Sequence, residues 1–294
     1  MDAADLKVFE AVARLGGMNR AAVELSTVQS NVTARIQALE ADLGSVLLER
    51  HSRGVSLTQA GQRLLPYADK VARLLDDARR ATCDDGAPRG VLTIGSLETT
   101  AALRLTPLLT RYATDNPAVD LVLRTGTTQE LVGDTLEQRV DGAFVCGPVA
   151  HPELEEQVMF REELVVLAAP DVASLSAALT RGEVRLVVLR AGCSYRQMLQ
   201  TLLARRGIVV QRLLEFGTLE AIFGCISAGL GITLLPRALV GGVCDAGRVS
   251  MHALPPEEAM VETVFIRRRD RFTSSALQAF LTCMRRGISD HADR

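Results

Sequence analysis

The hydrophobic rhythm of the chain changes once, and that change bounds what it can fold into. Up to about residue 83, apolar residues recur at helical spacing. The segment Asp84-Asp85-Gly86-Ala87-Pro88-Arg89-Gly90 has no period and carries Gly, Pro and charge, so it reads as a boundary. Beyond it, short strand-like runs alternate with helical segments. At 294 residues the chain exceeds what a single core normally serves, so a helical N-terminal part and a larger α/β part are expected.

In the helical part, Leu6, Phe9, Val12 and Ala13 share one face of a first helix that Gly16-Gly17 end. A second block, Asn19 to Leu25, sets Ala21, Ala22 and Leu25 on one side, with Asn19 as the expected N-cap. Val28, Val32, Ile36, Leu39 and Leu43 then form a single stripe that Gly44 closes. Two short helices joined through Ser26-Thr27 suit a helix-turn-helix. Opposite the stripe stand Gln29, Ser30, Asn31, Thr33 and Arg35, which match the donors and acceptors of base edges. A basic turn follows (Arg50, His51, Arg53, Gly54), then a strand-like VSLT, which reads as a wing. Residues 1–60 hold six Lys/Arg against seven Asp/Glu, so no bulk charge favours a polyanion. Contact with DNA would rest on local placement of Arg20, Arg35, Arg50 and Arg53, doubled in a dimer.

The stretch resembles the winged helix-turn-helix of the LysR-type transcriptional regulators. It supplies Ala21-Ala22, Leu25, Gln29, Val32-Thr33, Ile36, Leu39-Glu40, Leu43-Gly44, Leu47-Leu48, Arg50, Leu57-Thr58 and Gly61 in the family's order. Val28 departs from the family's Ser or Thr, which leaves Thr27 as the expected capping residue. The helical period then runs from Thr58 to Cys83 through Leu64, Leu65, Ala68, Val71, Leu74, Leu75 and Ala78, with Pro66 as an expected distortion. The resemblance implies that this helix dimerises the protein and presents two reading helices to near-palindromic double-stranded DNA. It also implies a dimer of dimers and contact with RNA polymerase.

After Gly90, strands are expected at residues 91–95, 119–125, 142–146, 164–168, 185–189, 209–215, 232–235 and 263–267. Helices are expected at 101–114, 129–139, 174–181, 195–206, 219–228 and 275–286. This alternation predicts an α/β fold with mainly parallel sheet. GVLTIGSLETTAALRLTPLL and Ser227–Leu239 also resemble LysR segments. The resemblance implies a two-subdomain effector domain like the periplasmic binding proteins. The expected division is 1–58 for DNA binding, 59–89 for linker helix and hinge, and 90–294 for the effector. Within the last, subdomain I is 90–161 plus 262–294 and subdomain II is 162–261.

Ligands of open α/β sheets bind beyond the carboxyl ends of strands, beside helix N-termini. The groups expected there are Ser96, Glu98, Thr99 and Thr100, then Thr125 and Thr127, then Cys146, then Ser194 and Arg196. Hydroxyls and helix N–H groups suit a small organic anion, with Arg196 adding a salt bridge. An inward Glu98 favours an amino or zwitterionic ligand instead.

Chemistry finds no home. The four histidines (51, 151, 252 and 291) are scattered, and no G-x-S-x-G, H-E-x-x-H or Walker loop is present. The six cysteines form no C-x-x-C, so reduced thiols are expected and neither a metal nor a cofactor. Asp2 and Asp5 occupy the place of a basic signal-peptide region, and no apolar run of ~18 residues exists. A cytoplasmic protein without membrane contact is expected. The reading is an effector-modulated, sequence-specific DNA-binding regulator and not an enzyme. The alternatives are a cytoplasmic solute-binding protein and an α/β enzyme with a helical N-terminal extension.

Overall fold

The computed structural model describes residues 1–51, 54–180 and 184–292. The chain divides into two compact units, Met1–Asp85 and Gly86–Arg294.

The first unit opens with α1 (Ala3–Leu15), α2 (Met18–Glu24) and α3 (Gln29–Leu43). It continues with the antiparallel pair β1 (Leu48–His51) and β2 (Gly54–Leu57), then α4 (Gln59–Cys83). Asp2 and Asp5 cap α1 reciprocally, the Asp5 N–H donating to Asp2 at 2.8 Å. Gly16 and Gly44 end α1 and α3 in the left-handed region, where a side chain would be strained. Thr58 caps α4 by accepting from the Gly61 N–H at 3.1 Å, and the helix runs on through Pro66. Phe9, Val12, Ala21, Val32, Ile36 and Leu39 form the core.

Three local expectations fail here. Asn19 does not cap α2; Gly17 holds that position and offers no side-chain oxygen. Val28, with 60 % of its surface exposed, and Leu43, with 38 %, lie off the buried stripe, because they sit at the two ends of α3 beyond the reach of α1. Thr27 makes no capping bond to the backbone, and its hydroxyl accepts instead from the Asn31 amide at 3.2 Å.

The second unit begins with β3 (Gly90–Ser96), α5 (Glu98–Thr100), a π-helical turn at Ala101–Leu105 and α6 (Thr106–Asp115). Next come β4 (Val119–Thr125), α7 (Thr128–Leu136), β5 (Gly142–Cys146), β6 (Leu154–Ala168), α8 (Leu175–Thr180) and β7 (Arg185–Leu189). The chain continues through α9 (Ser194–Arg205), β8 (Arg212–Phe216), α10 (Leu219–Ser227), β9 (Thr233–Pro236) and α11 (Arg237–Asp245). It closes with β10 (Ser250–Ala253), α12 (Pro256–Ala259), β11 (Met260–Arg268) and α13 (Ser275–Ala292).

These strands make two lobes joined by β6 and β11. The first lobe orders β4, β3, β5, β11 and the start of β6. The second pairs the end of β6 with β10 on one side and β9 on the other, and a bridge from Leu186 to Ile232 brings in β7 and then β8. The expectation of mainly parallel sheet is corrected. β3–β4, β3–β5 and β7–β8 are parallel, while β5–β11, β6–β11, β6–β9 and β6–β10 are antiparallel. The cause is the strand that returns: β11 runs back along β6 for the length of the crossover, and two strands that double back must be antiparallel.

At the crossover, neighbouring residues of β6 take partners from different lobes. Glu162, 5 % exposed, accepts two bonds from Arg104 of the π turn at 2.8 and 3.1 Å. Glu163 accepts two from Arg237 at 2.7 and 2.8 Å. Alternation along a strand sends adjacent side chains to opposite faces, so each lobe grips the crossover from its own side. Paired guanidinium–carboxylate forks of this kind fix direction as well as distance.

Candidate functional site

On α3, residues three, four and seven apart share a face. Ser30, Ala34 and Gln37 are exposed opposite the buried Val32, Ile36 and Leu39. Gln29 and Asn31 are also exposed, and Thr33 is half-buried at the edge. No side chain caps α3, because its N-cap is Val28, so the first-turn N–H groups carry no capping oxygen.

The cations fall into three groups. Arg35 is turned back to α1, donating to Asp5 at 3.0 Å, so it does not stand on the outward face as expected. Arg20 donates to the Gly16 carbonyl at 3.0 Å and braces the α1–α2 turn. That carbonyl also accepts from the Val55 N–H at 3.1 Å, which ties the wing to the turn. Gly54 makes the approach possible, since a Cβ there would stand 2.5 Å from the Gly16 oxygen. Arg50 is exposed on β1, and Arg53 lies outside the described residues. Gln37 was missed from the sequence, although its spacing of seven from Ser30 was the available signal.

In the second unit, a cleft opens between the lobes at the carboxyl ends of β3, β4 and β7. The first lobe contributes Leu97, Glu98, Thr99, Thr125, Gly126 and Thr127. The second contributes Leu189, Arg190, Cys193, Ser194 and Tyr195. The walls nearly touch. Ser194 donates to the Thr128 hydroxyl at 2.9 Å, and the Thr99 and Tyr195 hydroxyls stand 3.5 Å apart. A Cβ on Gly192, whose φ is +87°, would come within 2.8 Å of the Thr127 hydroxyl. The space left between the walls is about 40 Å³, room for roughly three waters.

The polar atoms of the cleft are mostly committed to one another. Thr127 caps α7 by accepting from the Glu130 N–H at 3.3 Å, and Glu130 returns the bond to the Thr127 N–H at 2.8 Å. That N–H, with the Arg190 charge behind it, holds the Glu130 carboxyl below its usual range. Burial pushes the Tyr195 phenol and the Cys146 and Cys193 thiols up, so all three stay protonated at neutral pH and none is a nucleophile. At α9 the N-cap Cys193 supplies no capping oxygen, and its buried sulfur faces the Tyr195 and Arg196 N–H groups as a weak acceptor.

Of the nine residues expected at a ligand, the cleft brings together Glu98, Thr99, Thr125, Thr127 and Ser194. The other four stand elsewhere. Ser96 and Thr100 are buried, with Ser96 donating to the Leu97 carbonyl at 3.0 Å. Cys146 lines a separate, wider groove with Gln197 and Met198. Arg196 is held by Glu215 at 2.7 Å and is absent from the cleft lining. The cation of the cleft is Arg190, which the sequence reading missed because it directly follows β7, three residues before Cys193, where the expected groups begin. Among the described residues, no cluster of His, Cys, Asp and Glu could hold a metal ion.

A winged helix-turn-helix followed by a two-lobed α/β fold with a cleft between the lobes defines a DNA-binding transcriptional regulator. Residues 3–62 match the model of the bacterial regulatory helix-turn-helix protein, lysR family, and residues 85–289 match the LysR substrate binding domain. The chain belongs to the LysR family of transcriptional regulators. It is 46 % identical to the uncharacterized HTH-type transcriptional regulator YusT of Bacillus subtilis, over 96 % of this chain and 94 % of that one. It is 44 % identical to the HTH-type transcriptional regulator GltR of the same organism, over 95 % of both chains. It resembles full-length CbnR crystallised with its target DNA at a TM-score of 0.65 and 25 % identity, over 98 % of this chain and all of CbnR (100 %). These relatives are regulators and not enzymes.

Proposed function

We propose that this regulator reads near-palindromic double-stranded DNA with the outward face of α3 and that a small organic anion or zwitterion between the lobes sets its activity. The observation that carries the effector reading is the cleft itself. Polar side chains from three strand ends and two helix starts converge on a space of about 40 Å³, where a bound group meets several fixed polar groups at once. The reading contacts are Gln29, Ser30, Asn31, Thr33 and Gln37 toward bases, with Arg50 and Arg53 of the wing toward phosphates. Arg20 and Arg35 support the fold of the unit. The effector contacts are Glu98, Thr99, Thr125, Thr127, Arg190 and Ser194.

Residues 59–89 act as linker and dimerising helix between 1–58 and 90–294. The support is that Tyr67 and Leu74 on α4 are each 67 % exposed, an apolar stripe that a second copy of the helix would cover. A dimer of dimers, contact with RNA polymerase and a cytoplasmic setting follow from the family. No described helix is long and apolar enough to cross a membrane. An effector shifts the balance between assemblies only to the extent that it binds them differently.

The test is selection of genomic fragments by the purified protein, repeated across salt concentrations. A shared, near-palindromic motif with log affinity falling steeply against log salt is expected. Fragments without a common motif at any salt would overturn the DNA reading. For the effector, Thr125→Val with Arg190→Gln is expected to remove the ligand response while DNA affinity stays the same. Loss of both together would refute the cleft assignment.

A further inference from the structure

Glu98 and Arg190 stand on opposite walls of the same cleft, one on each lobe. Neither side chain has a hydrogen bond or an ion pair among the described residues, and they do not pair with each other, so their charged atoms lie more than 4.0 Å apart. Of the other charged groups nearby, Glu130 accepts from the Thr127 N–H and lies within the field of Arg190, and Arg196 donates to Glu215. Arg190 is exposed and Glu98 half-buried, so water now solvates each charge, and a ligand carrying both complementary groups would replace that water. A simple carboxylate would satisfy Arg190 and set a second negative charge against Glu98. A simple amine would do the reverse.

We infer that the effector is a small α-amino acid whose carboxylate meets Arg190 and whose ammonium meets Glu98. This rests on the cleft being the effector site. The carboxylate end is well furnished. It faces the start of α9, where Cys193 supplies no capping oxygen, and Thr127, whose hydroxyl accepts from Glu130 and keeps its own proton to donate. The ammonium end has the Thr99 hydroxyl beside Glu98, with the Tyr195 phenol behind it. Leu97 and Leu189 bound the rest, so the side chain is short or apolar. Because the two charges belong to different lobes, the ligand bridges them. It strengthens a closure that Ser194 and Thr128 already make with one hydrogen bond.

The test uses the full-length protein, thermal unfolding and calorimetric titration. Glycine, L-alanine, L-serine and the other small L-amino acids are each paired with the acid lacking the amino group, at millimolar concentration. At least one amino acid is expected to stabilise the protein, with its deaminated partner weaker by roughly tenfold or more (about 1.4 kcal/mol). Glu98→Gln is expected to erase that difference, and Arg190→Gln to abolish binding of both. Circular dichroism confirms that each variant is folded. An acid that binds as tightly as its amino acid, and is lost in Arg190→Gln, would overturn the amino-acid inference while the cleft reading stands. Amino-acid binding that survives both Arg190→Gln and Gly192→Val would overturn the cleft reading as well. No stabilisation by any amino acid, with the protein folded, would also overturn the inference.

Discussion

The first turns of α3 and α9 begin alike and face different surroundings. Each follows a residue that supplies no capping oxygen, Val28 in one case and Cys193 in the other. By contrast, α1, α4, α7 and α10 are capped by Asp2, Thr58, Thr127 and Thr218. An uncapped helix start presents N–H donors and a partial positive charge to whatever arrives. On α3 that start is exposed to solvent, so an anion there is screened and held weakly. On α9 it opens onto a cleft with a space of about 40 Å³ between its walls, where fewer waters compete than at a free surface. The same local feature therefore stands on an open surface in one unit and at a partly enclosed cleft in the other.

The largest expected effects test whether the two surfaces are independent. Ile36 is 1 % exposed beneath α3, and Leu199 is 0 % exposed beneath α9. Truncating either to alanine should cost its own unit about 3 kcal/mol, from lost transfer energy and the cavity left behind. Hydrogen exchange reads the units separately. Ile36→Ala is expected to weaken protection only within Met1–Asp85, and Leu199→Ala only within Gly86–Arg294. Loss of protection throughout the chain from either change would show one cooperative body and end the comparison.

Next in size come the outward residues of α3. Ser30→Ala and Gln37→Ala are expected to cost about 1–3 kcal/mol of discrimination between the selected motif and mutated DNA, with stability almost unchanged. Competition binding against single-base variants of the motif measures this. Weakening that is uniform across all sequences would move both residues from base readout to phosphate contact.

Legibility differed between the regions for a physical reason. The helices and wing of the first unit were read to within a residue or two at most ends, because helical period and the glycines at 16 and 44 act locally. Arg35 was misplaced because its partner, Asp5, lies thirty residues earlier in the chain. In the second unit, buried runs such as Arg185–Leu189 were found at their bounds. The first ten residues of β6 were not, since LEEQVMFREE carries charge on both faces and becomes a strand only by pairing with β11. β10 was missed for a similar reason: Ser250–Ala253 is short and lacks an apolar run. The cleft sits between these cases. Strand ends pointed to the right loops, while the choice of Arg190 over Arg196 depended on Glu215, on a strand with no sequence link to the loop.

A matched pair of smaller effects bears on the helix starts themselves. Val28→Ser and Cys193→Ser each add a capping oxygen, expected to stabilise the unit concerned by about 1 kcal/mol. Their functional consequences should differ. A cap on the exposed α3 leaves DNA affinity nearly unchanged, since that surface has many other contacts. A cap on α9 occupies donors that the ligand carboxylate uses, and effector affinity should fall. Thermal unfolding beside the two binding assays measures both. Equal losses in both assays would mean that enclosure does not distinguish the two sites.

The smallest expected effect is the pH dependence contributed by the Thr127–Glu130 cap beside the cleft. Glu130 titrates below its usual range because the Thr127 N–H bonds its carboxylate, with Arg190 adding to the field. A carboxylate depressed in the folded state contributes stability that is present above the unfolded value, about pH 4.3. That contribution is lost as pH falls through the lower folded value. Glu130 is exposed, so screening holds the contribution to a few tenths of a kcal/mol. Glu130→Gln keeps an acceptor for Thr127 and removes the charge, so it should flatten this part of the acid limb and leave neutral stability slightly lower. At the start of α3 no ionisable cap exists, and Val28 variants should leave the acid limb unchanged. Unfolding curves recorded from neutral pH into the carboxylate range compare the two. An acid limb that is the same with and without Glu130 would mean that the Thr127 bond survives protonation.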